Sequence, residues 1–281
     1  MKLLALCGRK QAGKNTSANY LVGRMLVAIG MVKSGFSITE KGELYVNDID
    51  GDTSMSGIVD LYNRNPIARD FMEEHVYPYI KLYSFADILK EMCIELLGVS
   101  EEQCYGTDAQ KDSPTHLLWE NMPGVITTEK PKETKTTSGR LGPYHESDSK
   151  FIYHAPGPMT GREVLQFVGT EIFRRMSTNI WANATVNKIL SEQPELAIIT
   201  DCRFPNEVEA VQAAGGKVIR LLRDNGKGDK HLSETALDDY PMEKYDGVID
   251  NKNFNIMENN EELINIILNK FEWFKEDAPQ G

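Results

Sequence analysis

Near the start of the chain, two glycines and a lysine have a spacing that suits phosphate binding. Gly8 and Gly13 lie five positions apart, and Lys14 follows directly. Glycines let the backbone wrap around a phosphate with its N–H groups, the helix that follows offers its positive end, and the lysine adds a point charge. The pattern predicts a nucleotide phosphate site, with a plain turn between a strand and a helix as the alternative.

The end of this loop departs from the usual motif, in which a serine or threonine after the lysine ligates Mg²⁺. Asn15 stands at that position, and a hydroxyl comes one residue later at Thr16. Asn15 can order a metal-bound water and Thr16 can bind a phosphate oxygen, so direct ligation of a metal by the loop stays open. The predicted nucleotide-contacting residues are Gly8, Gln11, Ala12, Gly13, Lys14, Asn15, Thr16 and Ser17.

A second candidate set follows the continuous apolar run at residues 196–200. Asp201 closes this run, at the carboxyl end of a predicted central strand, where ligands bind in open α/β sheets. Its carboxylate can hold Mg²⁺ through water or simply cap the turn. Arg203 suits bidentate binding of a second phosphate, and the alternative is a surface ion pair with Glu207.

Two residues in predicted helices are further candidates. Arg162 lies in a first helical turn, where the helix dipole disfavours a cation, so an anionic ligand explains it better than local stability. A solvated arginine is the alternative. Trp181 either stacks on a base or fills the core. The polar segment with His231, Ser233 and Glu234 yields neither a catalytic triad nor a metal set.

The elements that must position these residues alternate between strands and helices. Strands are predicted at residues 3–7, 80–85, 196–200, 218–222 and 248–249, and helices at about 14–29, 86–97 and 177–191. Further helices start near Thr160 and Pro205, a last one lies at the C-terminus, and residues 40–46 indicate a hairpin. Strands separated by helices predict a parallel sheet in a layered α/β fold. We expect one domain, 1–281, with insertions at about 31–77 and about 120–157. The second insertion is expected to be flexible and is a candidate lid over the phosphates.

Composition narrows the function classes. The 281 residues include 31 basic and 42 acidic side chains, a net charge of −11, which works against binding a nucleic-acid backbone. Apolar runs fall short of the roughly 18 residues that span a bilayer, and the first is too short for a secretory signal. We therefore expect no nucleic-acid or membrane partner. The cysteines, read as reduced thiols of a cytoplasmic protein, are Cys7, Cys93, Cys104 and Cys202.

With these motifs in this order, the chain resembles the deoxynucleoside monophosphate kinases of tailed bacteriophages. They are a branch of the P-loop nucleoside and nucleotide kinase superfamily. That family's loop ends in Gly-Lys-Asp/Asn-Thr, so Asn15 fits it. The matching segments are, in order, 1–16, 84–90, 160–166, 169–171, Trp181, 201–207 and 231–234.

The resemblance implies a P-loop NTPase three-layer sandwich with five parallel strands, and a homodimer in the cytoplasm, that of the host if the protein is phage-encoded. It implies that ATP, with Mg²⁺, phosphorylates a deoxynucleoside 5′-monophosphate for DNA precursor synthesis. Lys14 and the loop would hold the ATP phosphates, and Lys10 would bridge to the acceptor. Arg162 and Arg203 would clamp the acceptor phosphate, and Asp201 would organise Mg²⁺ water.

The resemblance also implies a substrate site bounded by Trp181. Its expected members are Lys10, Leu89, Lys90, Arg162, Gly169, Thr170, Trp181, Asp201, Arg203 and Glu207. The expected lid cations are Lys132, Lys135 and Arg140.

Two alternatives stay open. A P-loop kinase could act on another small acceptor, dephospho-coenzyme A or a free nucleoside, and for a nucleoside Asp87 is the available carboxylate base. The chain could instead be a non-catalytic nucleotide-binding regulatory module whose partners dock on residues 31–77.

Overall fold

The computed structural model describes residues 1–61, 65–128, 151–223 and 235–274, which divide into two compact units. The described part of the first unit comprises residues 1–61, 65–84, 185–223 and 236–274. That of the second comprises residues 85–128, 151–184 and 235. The expectation of one domain with two insertions stays a prediction.

The described strands are β1 (Lys2–Cys7), β2 (Phe36–Ile38), β3 (Leu44–Val46), β4 (Gly57–Val59), β5 (Ile80–Tyr83), β6 (Pro114–Leu118), β7 (Val125–Thr127), β8 (Ile152–His154), β9 (Pro158–Thr160), β10 (Leu196–Cys202), β11 (Lys217–Leu221) and β12 (Gly247–Ile249). The α-helices are α1 (Lys14–Ala28), α2 (Pro66–His75), α3 (Asp87–Leu97), α4 (Glu101–Tyr105), α5 (Asp108–Lys111), α6 (Gly161–Gln166), α7 (Ile180–Glu192), α8 (Pro205–Ala213) and α9 (Ile256–Asn265). Two π-helical segments, Phe167–Arg174 and Ile266–Lys270, continue α6 and α9, and short 3₁₀ turns lie at Thr53–Met55, Trp119–Asn121 and Met242–Lys244.

The central sheet lies in the first unit and confirms the predicted α/β fold. Within the described residues it has five parallel strands in the order β12-β11-β1-β10-β5. Residues 3–7 of β1 are all buried, as expected for a strand covered on both faces. Because β1 lies between β10 and β11, the loop that follows it leaves from the middle of the carboxyl edge. Ligands bind at that edge in open α/β sheets.

Residues 31–77, which the sequence predicts as the first insertion, contain the predicted hairpin. Strands β2, β3 and β4 form an antiparallel sheet in which Ser37 pairs with Tyr45, and Tyr45 with Ile58. Helix α2 follows, and its N-terminus is capped by Asn65, whose Oδ1 accepts a hydrogen bond from the backbone N–H of Ile67 at 3.0 Å. The insertion therefore has regular structure of its own.

The second unit is built on a separate apolar core. Trp119, Met159 and Phe167 are fully buried there, and Trp119 stacks on His154 with ring centroids 4.0 Å apart. Two small sheets pack with this core, β6 antiparallel to β9 and β7 parallel to β8, and the sequence did not predict them. Among the described residues of both units, no helix is long and apolar enough to cross a bilayer.

Candidate active site

Two positions of the loop between β1 and α1 have a backbone that favours glycine. A Cβ added to Gly8 would lie 3.0 Å from the Leu221 carbonyl oxygen, and Gly13 has φ +98°. Gln11 is a non-glycine residue with φ +63°, a conformation that costs energy and clusters at ligand sites. The predicted glycine roles therefore have a steric basis in the structure.

Lys14 folds back into this loop. Its Nζ donates hydrogen bonds to the carbonyl oxygens of Gly8 at 2.6 Å and Arg9 at 2.8 Å, and the residue is only 7% exposed. Helix α1 begins at Lys14 and has no acidic residue in its first turn, so its positive end is not neutralised by a neighbouring carboxylate. The loop thus combines a held ammonium group with a helix N-terminus, an arrangement that binds anions.

The other predicted loop residues differ in exposure. Lys10, Gln11 and Asn15 are exposed, Thr16 is half-buried, and Ala12 is fully buried. Exposed residues here can meet a ligand, whereas Ala12 contributes through its backbone.

A buried pair of asparagines anchors the loop, and sequence reasoning missed it. The Nδ2 of Asn251, a residue 1% exposed, donates to the Ala12 carbonyl oxygen at 3.0 Å and to Oδ1 of Asn259 at 2.9 Å. Asn259 in turn donates from Nδ2 to Oγ of Ser17 at 2.9 Å, and Oδ1 of Asn251 accepts from the Arg223 backbone N–H at 2.8 Å. These bonds tie the C-terminal end of the loop and the first turn of α1 to the segment after β12. A run of asparagines at 251–260 was the available signal, but such residues are usually exposed.

Asp201 lies near the carboxyl end of β10, next to β1. Cys7 of β1 and Cys202 of β10 are register partners, so Asp201 adjoins the strand that leads into the loop. Its Oδ2 accepts a hydrogen bond from Oγ of Ser84 at 2.6 Å. The sequence contained no signal for this role of Ser84, because the hydroxyl arrives from a different strand end.

Glu207 organises the turn that follows Asp201. Its Oε2 accepts hydrogen bonds from the backbone N–H groups of Arg203 at 2.8 Å and Phe204 at 3.1 Å, and the residue is 3% exposed. This carboxylate therefore holds the backbone that carries Arg203. The expected contacts of Glu207 and Arg203 with substrate stay predictions.

In the second unit, Arg162 lies in the first turn of α6, after a capping box formed by Thr160 and Glu163 as predicted. Its Nε donates to Oδ1 of Asp112 at 2.6 Å, and its Nη2 donates to Oδ1 of Asp108 at 2.7 Å. The bond to Asp112 is the main cause that raises the pKa of Arg162, and burial opposes it. The premise that nothing local stabilises this cation was wrong, since these carboxylates do so. A role toward an anionic ligand stays a prediction.

The remaining predicted substrate residues lie in the same unit. Trp181 is 5% exposed, and its Nε1 donates to the Gly169 carbonyl oxygen at 3.0 Å. A Cβ on Gly169 would lie 2.7 Å from Cδ2 of Leu89, and Thr170 follows in the π-helical segment. Lys90 lies over the Tyr105 ring at 4.4 Å. The structure thus assembles Leu89, Gly169 and Trp181 as one packed group.

π-Helical segments occur often at functional sites. Phe167–Arg174 is one, and it contains Glu171, a buried carboxylate whose Oε2 lies 2.7 Å from Nη2 of Arg175. Burial raises the pKa of Glu171, and the Arg175 charge opposes that rise.

Some predicted residues lie outside the described part of the chain. They are Lys132, Lys135, Arg140, His231, Ser233 and Glu234. Within the described residues, no group of three or more histidine, cysteine, aspartate or glutamate side chains could hold a metal ion.

Comparison with known proteins identifies the family. The sequence pattern of the deoxynucleotide monophosphate kinase family matches residues 124–263. A protein of Acanthamoeba polyphaga mimivirus, named as a deoxynucleotide monophosphate kinase, is 28% identical over 181 residues, which are 60% of this chain and 73% of that protein. The deoxynucleoside-5′-monophosphate kinase of Escherichia phage T5 is 42% identical over 52 residues, 18% of this chain and 21% of its own length. The chain therefore belongs to the deoxynucleotide monophosphate kinase family and is a phosphotransferase.

Proposed function

We propose that the protein transfers the γ-phosphoryl group of ATP to a deoxynucleoside 5′-monophosphate, producing the diphosphate for DNA precursor synthesis in the cytoplasm of an infected host. The observation that carries this proposal is the Nζ of Lys14, held in the loop by the carbonyl oxygens of Gly8 and Arg9. The names of the viral relatives supply the acceptor class.

The loop binds the donor. Phosphate oxygens of ATP replace the carbonyl oxygens as partners of Lys14, because an ammonium group bonds more strongly to an anion than to a neutral carbonyl. The backbone N–H groups of Gly13 to Thr16, the Thr16 hydroxyl and the positive end of α1 bind the β- and γ-phosphates. The asparagine pair keeps the loop in this shape before ATP arrives, so little free energy is spent on ordering it.

The acceptor needs no general base, because its attacking atom is already a phosphate oxygen. This oxygen forms a new bond to the γ-phosphorus while the bond to the β-phosphate oxygen breaks, and ADP leaves. Lys10 bridges donor and acceptor, and Arg203 and Arg162 bind the acceptor phosphate. Positioning and neutralisation of charge account for the catalysis.

The chemistry of the available side chains fits Mg²⁺ held mostly by phosphates and water. Mg²⁺ commonly binds one or two carboxylates plus substrate phosphates in such sites. Asp201 supplies a carboxylate oriented by Ser84, and Asn15 or Thr16 supplies a further oxygen. When bound, the ion neutralises phosphate charge. Asp201, held in place by Ser84, would bind the ion through water.

Trp181, Leu89, Lys90, Gly169 and Thr170 contribute to the deoxynucleoside site. The packing of Trp181 against the Gly169 carbonyl makes it a rigid wall, since its one hydrogen-bond donor is already engaged. We also propose that the protein is a homodimer, which sedimentation equilibrium tests directly.

The test is a coupled assay of ADP release at saturating ATP and Mg²⁺, across deoxynucleoside and ribonucleoside monophosphates. We expect turnover only with a deoxynucleoside monophosphate, and a loss of roughly 10²-fold or more in Lys14→Ala. Lys33→Ala is the matched control, because the Lys33 side chain is 57% exposed. Full transfer by a folded Lys14→Ala protein would overturn the assignment.

The same assay separates the alternatives. Turnover with dephospho-coenzyme A or a nucleoside would identify another acceptor, and for a nucleoside it would direct attention to Asp87, which pairs with Lys90 at 3.6 Å. Tight ATP binding without turnover on any acceptor would indicate a regulatory module.

A further inference from the structure

The turn between β2 and β3 rests on the first turn of the phosphate-binding helix. Gly42 in this turn is buried and has φ +81°, and a Cβ added there would lie 2.2 Å from Oγ1 of Thr16. The Gly42 carbonyl oxygen accepts a hydrogen bond from Nδ2 of Asn19 at 2.8 Å. Thr16 and Asn19 are three residues apart, so they lie on the same face of α1.

The hairpin that carries Gly42 is held by its own backbone hydrogen bonds and by its packing on α1. The Gly42 N–H donates to the Thr39 carbonyl oxygen at 2.8 Å, and the Thr39 N–H donates to the Glu43 carbonyl oxygen at 2.9 Å. Further along α1, Phe36 of β2 fills the space where a Cβ of Gly23 would lie, only 2.4 Å from Cδ2 of its ring. The hairpin therefore packs along α1 from Gly23 to Thr16 and cannot move away from Thr16 freely.

We propose that this hairpin turn, through Gly42, is a positioning element of the donor phosphate site: it sets the side-chain position of Thr16. The inference rests on the proposed function, in which Thr16 binds a phosphate of ATP. It gives the first insertion a role in donor binding. Gly42 itself does not touch the donor in this proposal and acts through Thr16.

A methyl group on Gly42 would lie 2.2 Å from Oγ1 of Thr16, which is too close for two unbonded atoms. Thr16 must therefore rotate, or the turn must withdraw by about 1 Å. Misplacement on that scale costs up to roughly 10²-fold in catalytic efficiency. An effect through Thr16 weakens ATP binding and leaves the KM for the acceptor unchanged. General destabilisation of the insertion would instead change the binding of both substrates.

The experiment compares Gly42→Ala with Gly30→Ala. Gly30 has φ +77° and nothing within 4 Å of an added Cβ, so it incurs the same backbone strain without the clash. ATP affinity is measured by calorimetry without acceptor, and KM is measured for both substrates. We expect Gly42→Ala to weaken ATP binding about tenfold or more and Gly30→Ala about threefold or less, with the acceptor KM unchanged in both.

A double variant tests the route through Thr16. The Thr16→Ala background lacks the hydroxyl that clashes. The nearest remaining atom of residue 16 is its Cβ, which lies 3.2 Å from the methyl group added at Gly42. Adding Gly42→Ala there should cost less than about threefold in ATP affinity. The proposal is overturned if the full loss persists in this background, or if Gly42→Ala and Gly30→Ala behave alike.

Asn19→Ala keeps the test decisive if Gly42→Ala does not fold. It removes the hydrogen bond to the Gly42 carbonyl oxygen without adding bulk, and we expect ATP affinity to fall about threefold or more. An unchanged affinity would overturn the proposal. If the wild-type protein binds ATP but phosphorylates no deoxynucleoside monophosphate, the proposed function fails while these affinities still decide the role of Gly42.

Discussion

Replacing Asn251 by aspartate tests whether the buried asparagine pair anchors the loop between β1 and α1. The exchange keeps the shape of the side chain and the acceptor that meets the Arg223 N–H. It replaces the donor that serves the Ala12 carbonyl oxygen and Oδ1 of Asn259 by an acceptor. At 1% exposure, water cannot substitute for the lost donor.

The expected loss depends on pH. A protonated acid can donate to only one of the two oxygens, so one hydrogen bond is lost, which costs about 1 kcal/mol. Burial next to oxygen atoms raises the pKa of the introduced acid, and the Arg223 guanidinium, which donates to the carbonyl oxygen of residue 251, opposes that rise. A net rise opens a pH window between the unfolded-state and folded-state pKa values, and each pKa unit of it costs a further ~1.4 kcal/mol once both states are ionised. The folded state then binds more protons, so stability falls as pH rises through this window. We expect a loss of more than about 1 kcal/mol, and a larger loss at pH 8 than at pH 5.

Urea denaturation of wild type and variant at both pH values measures this difference. Asn265→Asp, on helix α9 that follows Asn251 in the chain, is the control, because Asn265 is exposed and an added charge there should change the free energy of unfolding by at most about 0.5 kcal/mol. The reasoning fails if Asn251→Asp costs no more than the control at pH 8, or if its cost is the same at both pH values.

Arg203→Ala should lower kcat/KM for the acceptor by about 10²-fold, on the order of 3 kcal/mol. The substitution keeps the backbone N–H group that donates to Glu207. An unchanged rate in the coupled assay would place Arg203 outside the site. Asp48→Asn should destabilise the first insertion, since hydrogen bonds led by the Lys33 N–H lower the pKa of Asp48 from 3.8 to about 2. This depressed pKa means that the contribution is present above about pH 4 and is lost as pH falls toward 2. Hydrogen exchange of the insertion in wild type and variant should therefore differ at pH 7 and converge near pH 2 to 3, and an equal difference at both would contradict the assignment.

Local patterns predicted most of the framework. Buried strands such as β1 and β10 are continuous apolar runs, the hairpin at β2 and β3 has turn residues at its centre, and α6 starts with a capping box. These features depend on residues close together in sequence, so they can be recognised one segment at a time. The small sheets of the second unit could not be predicted, because their strands are short and pair with distant segments.

The sequence by itself determined the loop between β1 and α1, because the glycine and lysine spacing between a buried strand and a helix specifies both its shape and its charge. Only the tertiary structure showed what holds that loop. Asn251 lies 239 residues from its partner Ala12, and Gly42 reaches Thr16 from an insertion. Only the tertiary structure also showed the two carboxylates that bond Arg162. Asp108 lies in α5, and Asp112 directly follows that helix. The physical reason is that a buried hydrogen bond or a steric contact requires proximity in space, which chain folding creates and local sequence does not record.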